Sequence, residues 1–244
     1  MTVSEPGVVG VGAEVVLSAR DVHKAFAAAG GERRVLRGLD LAVSRGEVVA
    51  MAGRSGSGKT TLLSILAGWE RPDAGAVRLA SGEPLTDAPW GQVAVLPQTL
   101  GLLDELTIGE NVALPLRLGG GRGGREGDAG RERDAGRDRD DPARLLARLG
   151  LDRLAERHPS EVSLGEQQRA ALARAAVVRP AVLLADEPIA HQNVAWAETM
   201  MAAVRELADA GTTCLLATHN EVAFTVADRV LQLVDGRLRP WPGH

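Results

Sequence analysis

The segment Gly53-Arg54-Ser55-Gly56-Ser57-Gly58-Lys59-Thr60 fits the pattern G-x-x-x-x-G-K-[ST]. It lies between an apolar run, Val48 to Ala52, that reads as a buried strand, and a helix expected from Gly58 to about Leu66. Glycines in such a loop let the backbone wrap round a phosphate with several N–H groups pointing inward, and the helix N-terminus adds partial positive charge. Lys59 then sets a full charge against β- and γ-phosphates, and the Thr60 hydroxyl can ligate Mg²⁺. Arginine dominates the 28 basic residues, Lys24 and Lys59 being the lysines, so a Lys kept at this position favours the phosphate reading over a plain Gly-rich turn.

Further along, Val182-Leu183-Leu184-Ala185-Asp186-Glu187 sets two carboxylates at the C-terminal end of an apolar strand, the edge where ligands sit in open parallel sheets. Asp186 is suited to hold Mg²⁺ through its water shell, and Glu187, facing the other way, to polarise an attacking water. Apolar runs at Ala181 to Ala185 and Cys214 to Ala217, separated by a helix from about Ala195 to Ala208, give the βαβ signature of a parallel sheet. Helical spacing marks Pro142 to Leu149 and Glu166 to Val178, and a turn at Asp235-Gly236 closes a short hairpin.

Residues 1–14 read as a loose tail before a strand at Val15 to Leu17. Residues 119–141 are built only of Gly, Arg, Asp, Glu and Ala, a composition that buries nothing and is expected to be disordered. Net charge is -4, which argues against a nucleic-acid partner, since such binding rests on neutralising phosphates. Aromatic residues are 2% of the chain, so the core is expected to be Ala, Leu and Val. One cysteine, Cys214, and an N-terminus without a signal-peptide pattern point to a reducing cytosol. No apolar run approaches the roughly eighteen residues of a membrane span.

Val162-Ser163-Leu164-Gly165-Glu166-Gln167-Gln168-Arg169 opens a helix upstream of the acidic strand and resembles the signature motif of the ABC-type ATPases, usually Leu-Ser-Gly-Gly-Gln. Ser163 and Gly165 match, while Leu164 and Glu166 depart. The likeness runs from Val15 to Leu238 apart from the insert. It implies an α/β fold: a P-loop NTPase with a RecA-like, mostly parallel sheet core, a small antiparallel β lobe and an inserted α-helical lobe over about 99–178, in a single domain over 15–240. The resemblance further implies ATP and Mg²⁺ as cofactors, with Thr61 beside the phosphate loop among the nucleotide-binding residues. By the same likeness Gln98 touches Mg²⁺ and the water, His219 contacts the γ-phosphate, and Phe26 stacks on adenine.

In this family two ATPase domains pack head to tail, so Ser163, Gly165 and Glu166 would serve the ATP of the opposite subunit in a homo- or heterodimer. The stretch Val35 to Trp69, the run Glu105 to Val112 and Glu166 are most similar to the branch that drives lipoprotein release and macrolide or peptide export. That likeness implies a separate membrane permease docking near Thr99 to Leu118, and a cytoplasmic subunit held peripherally on the inner face of the cell membrane. Two features depart from the pattern. Leu164 stands where Gly is usual, and Asn193 where an Asp usually links the two sites; both suggest a slow ATPase. A non-transport ATPase of the same fold, or a degenerate nucleotide sensor, stays open at this level.

Overall fold

A computed structural model describes residues 14–28, 31–80, 82, 88, 91–119 and 141–243 of the chain. The expected tail except Glu14, and all but the two end residues of the Gly/Arg/Asp insert, lie outside the described residues. The chain opens with strands β1 (Val15–Ala28) and β2 (Gly31–Ser44). After β3 (Val48–Ala52) and helix α1 (Lys59–Leu66) comes β4 (Ala74–Leu79), and a three-stranded antiparallel sheet in the order β2-β1-β4 results. Strand β1 is much longer than the Val15 to Leu17 run. Its last residues, 26–28, are exposed, so they lack the apolar alternation by which a strand is read.

The second sheet takes in β5 (Val93–Leu96), β6 (Val182–Asp186), β7 (Thr213–Ala217), β8 (Arg229–Val234) and β9 (Arg237–Pro240). Its order is β5-β6-β7-β3-β8-β9. Every pairing is parallel except the hairpin β8-β9. Strands β3, β6 and β7 are buried along their whole length, which explains why they read as unbroken apolar runs rather than alternating ones. Successive side chains of these strands nevertheless divide between two cores. Val48, Leu183, Ala185, Cys214 and Leu216 pack on the helical side, while Val49, Met51, Val182, Leu184, Leu215 and Ala217 pack beneath the antiparallel sheet and α1.

The helical core gathers α2 (Ile108–Gly119), α3 (Pro142–Arg148), α4 (Leu164–Ala176) and α5 (Val194–Asp209). Ala and Leu predominate, as expected, but Met51, Met200, Met201 and Ile108 are fully buried too. Helix α4 starts two residues before Glu166 because Ser163 caps it. The start of α2 is set by a polar side chain: buried Asn111 accepts from the Leu103 N–H at 2.8 Å and donates to the carbonyls of Leu103, Leu106 and Thr107. One amide thus satisfies the turn that enters the helix.

Candidate nucleotide site

The C-terminal edges of β3 and β6 open into a cavity of about 930 Å³. Gly53, Arg54, Ser55, Gly56, Ser57, Gly58, Lys59, Thr60 and Thr61 line it on one side, and Gln98, Asp186, Glu187 and His219 on the other. Phe26 closes the far end, 41% exposed, with the Lys24 ammonium 5.3 Å from its ring centroid. All these residues, picked out separately along the sequence, therefore share one space.

The loop's shape depends on its glycines. Gly56 and Gly58 adopt φ of 74° and 106°, a region L side chains avoid. A Cβ on Gly58 would also meet Val35 Cγ1 at 2.7 Å. Lys59 is 8% exposed, and its Nζ donates to the carbonyls of Gly53 at 2.7 Å and Arg54 at 3.4 Å, spanning the loop. Ser57 Oγ is buried without a hydrogen-bond partner among the described residues, a hydroxyl left available to an anion in the loop.

Thr60 Oγ1 donates to Asp186 Oδ2 at 2.6 Å, joining the phosphate loop to the acidic strand end. Burial pushes the Asp186 carboxyl above the ordinary range, and the Glu187 charge adds to that, against the Thr60 hydrogen bond and the Lys59 charge. Glu187 has a left-handed backbone, φ 49°, a conformation that costs a non-glycine residue roughly 1–3 kcal/mol. Its N–H donates to the Ala217 carbonyl at 2.8 Å. Its side chain takes the Thr218 hydroxyl on Oε2 at 3.0 Å and meets His219 Nδ1 through Oε1 at 2.9 Å. The backbone turn sends this carboxylate into the cavity.

Oxygen donors from Thr60 and Asp186 suit a hard cation. Among the described residues no group of three or more His, Cys, Asp or Glu could hold a metal. That donor set fits Mg²⁺, which keeps waters and shares phosphate oxygens rather than filling an all-protein cage.

The signature residues lie elsewhere. Ser163, Gly165 and Glu166 do not line this cavity but form the first turn of α4. The Ser163 hydroxyl and N–H both donate to Glu166 Oε2, at 2.8 and 2.7 Å, and the Glu166 N–H returns to Ser163 Oγ at 3.3 Å. These bonds hold the Glu166 carboxyl below its ordinary range, so the departure from Gln supplies a charged capping box at the positive end of a helix. Leu164 is 47% exposed beside it. Asn193 caps α5, accepting the Trp196 N–H at 3.0 Å.

Several lining residues carry no motif signal in the sequence. Arg33 and Val35 come from β2, and Ala190 and His191 from the loop after Glu187. Arg33 Nη2 donates to the Gly56 carbonyl at 3.2 Å, bracing the loop from the antiparallel sheet. Arg33 and Val35 reach the cavity through the antiparallel sheet, and Ala190 and His191 through the loop that leaves β6.

Among the described residues no helix is long and apolar enough to cross a membrane. A family model described as ABC transporter matches residues 36–190. The chain is 37% identical over 232 residues to the lipoprotein-releasing system ATP-binding protein LolD of Porphyromonas gingivalis, covering 92% of this chain and 99% of that one. It is 36% identical to the macrolide export ATP-binding/permease protein MacB of Syntrophobacter fumaroxidans, covering 93% of this chain and 32% of that longer protein. A dimeric ATP-binding cassette in a post-hydrolysis state with ADP and Pi superimposes with a TM-score of 0.78 at 27% identity, over 93% of this chain and all of the other. With the phosphate loop, the acidic strand end and the signature helix arranged as described, the chain belongs to the ABC transporter family and is one of its ATP-binding, ATP-hydrolysing subunits.

Proposed function

We propose that this subunit energises a separate membrane permease, with ATP closing a dimer of ATPase domains and hydrolysis reopening it. The observation that carries the reading is the division of the motifs. The phosphate loop, Asp186, Glu187, Gln98 and His219 share one cavity, while Ser163 and Gly165 stand outside it at an exposed helix start. A second copy, or a related chain, completes each site by bringing its signature turn over the first chain's nucleotide.

Within the site, backbone N–H groups of Gly56 to Thr60 and the Lys59 ammonium bind the β- and γ-phosphates. Phe26 stacks on the adenine, its ring polarised by Lys24. Thr60, Asp186 and Gln98 would hold Mg²⁺, which neutralises charge on the phosphate oxygens when bound. Glu187 orients the attacking water and takes up its proton, and His219, bonded to Glu187 Oε1, stands beside the γ-phosphate. Likeness to LolD and MacB supports a permease of the lipoprotein-release or macrolide-export kind. It also supports a cytoplasmic subunit held at the inner face of the membrane. The segment Thr99 to Leu118, which Asn111 organises, is the docking surface in this reading.

The test is steady-state Mg²⁺-dependent ATP hydrolysis beside size-exclusion chromatography in ATP. Glu187→Gln is expected to lower turnover by about 100-fold or more, the scale of losing a general base, and to elute as a dimer in ATP. A variant that hydrolyses at the parent rate would remove Glu187 from the mechanism.

A further inference from the structure

Glu187 is held by an amide on the signature helix. Gln168, 2% exposed on α4, donates through Nε2 to the Glu187 carbonyl at 2.9 Å. Its Oε1 accepts the His191 N–H at 3.2 Å and Gln192 Nε2 at 3.1 Å. One side chain thus fastens both ends of the loop from Glu187 to Gln192. Gln192 Nε2 also donates to the Gly165 carbonyl at 2.8 Å, and a Cβ on Gly165 would meet the His191 carbonyl oxygen at 2.9 Å. The first turn of α4 is seated directly on this loop.

Gln167, the next residue back, turns away and donates to the Pro159 and Val162 carbonyls, so the engagement belongs to Gln168. The Glu187 backbone is left-handed and persists only while its surroundings over-determine it. Of the two backbone groups, the N–H is fixed by the neighbouring strand through Ala217. The carbonyl has the Gln168 amide, together with a longer 3.3 Å bond from the Ala190 N–H inside the loop. Without the amide, the carbonyl keeps only the longer Ala190 bond, so the peptide after Glu187 rotates more easily and the carboxylate is less firmly held toward Thr218 and His219.

We propose that Gln168 is a positioning residue for hydrolysis, holding Glu187 in the left-handed conformation that aims its carboxylate at the attacking water. The inference rests on the reading of Glu187 given above. Its scope is the chemical step alone, because among the described residues Gln168 makes no side-chain hydrogen bond to the phosphate loop or Phe26, the parts read as binding the nucleotide.

The experiment compares Gln168→Glu and Gln192→Leu in the full chain, with Glu187→Gln alongside. Gln168→Glu keeps acceptors for His191 and Gln192 and removes the donor to the Glu187 carbonyl. Its kcat for ATP is expected to fall at least tenfold, with KM and ATP affinity within about twofold of the parent and a cooperative thermal melt. Gln192→Leu leaves that donor in place and is expected to keep kcat within about threefold. A Gln168→Glu protein that hydrolyses ATP within twofold of the parent overturns the inference. So does one whose ATP affinity collapses, or one without a cooperative melt, which would make Gln168 a folding residue. Equal losses in the two variants assign the effect to the loop clasp and overturn it as well. Undiminished hydrolysis by Glu187→Gln would instead sink the reading of Glu187 itself, an outcome told apart because Gln168 is intact in that protein.

Discussion

Asn193 illustrates how one atom can keep a structural duty and lose an electrostatic one. Its Oδ1 accepts the Trp196 N–H and caps α5, a task Asp performs equally well. What the amide lacks is the negative charge that an Asp would carry. Asn193→Asp is therefore expected to leave the melting temperature unchanged or slightly higher, with helix-dipole gains of about 0.3–1 kcal/mol, and to raise steady-state ATP turnover several-fold. Equal turnover in the two proteins would show that the amide at Asn193 does not limit hydrolysis. At this scale the sequence was most legible where chemistry restricts the choice of residue. Lys59, Thr60 and Asp186 stand out because few side chains could replace them at a phosphate. Arg33 and Val35 were silent, since a residue that lines a cavity by virtue of strand pairing has no local pattern to announce it.

Elements were legible by their caps and their burial. Ser163 with Glu166, and Thr107 with Glu110, form reciprocal caps that mark the starts of α4 and α2, though the apolar pattern alone put the start of α4 two residues late. The exposed end of β1, residues 26–28, escaped notice because no core face disciplines its sequence. The seating of α5 against β3 was equally hidden, being built from ionic and backbone groups far apart in the chain. Arg205 Nη1 pairs with Asp228 Oδ2 at 2.8 Å, its Nη2 donates to the Gly46 carbonyl at 2.9 Å, and Asp228 Oδ2 accepts the Val48 N–H at 2.8 Å. Desolvation tends to raise the Asp228 carboxyl, but the Val48 N–H and the Arg205 guanidinium outweigh it and hold the group below its ordinary range. A depressed folded value gives stability present above the unfolded carboxylate range and lost as pH falls through the folded one. Asp228→Asn is accordingly expected to cost about 1 kcal/mol at pH 7, the half-exposed carboxylate being discounted for solvent screening. The difference between the two melts should begin to shrink as pH falls below about 4 and vanish only below the depressed folded value. A constant difference across pH would show that shape rather than charge is what matters there.

The whole molecule is organised by its strand order. The strand that carries the phosphate loop, β3, lies between β7 and β8, two strands made from the last part of the chain described. The strand that carries Asp186, β6, reaches β3 in the sheet only through β7. At about 5–20 residues per second of synthesis, the loop waits on the order of ten seconds or more for the neighbours that fix it. During that time β3 has two open edges, and the Thr60–Asp186 contact has no sheet to span. On this strand order a nascent or truncated chain that lacks β7 and β8 is expected to hold no nucleotide. A fragment of residues 1–212 is expected not to bind a fluorescent ATP analogue, and nucleotide binding would return only if the missing strands were supplied and joined the sheet. Measurable binding by that fragment alone would mean that the loop folds without its sheet. The order in which the strands are spelled thus sets the earliest moment at which the sheet framing the phosphate loop can close.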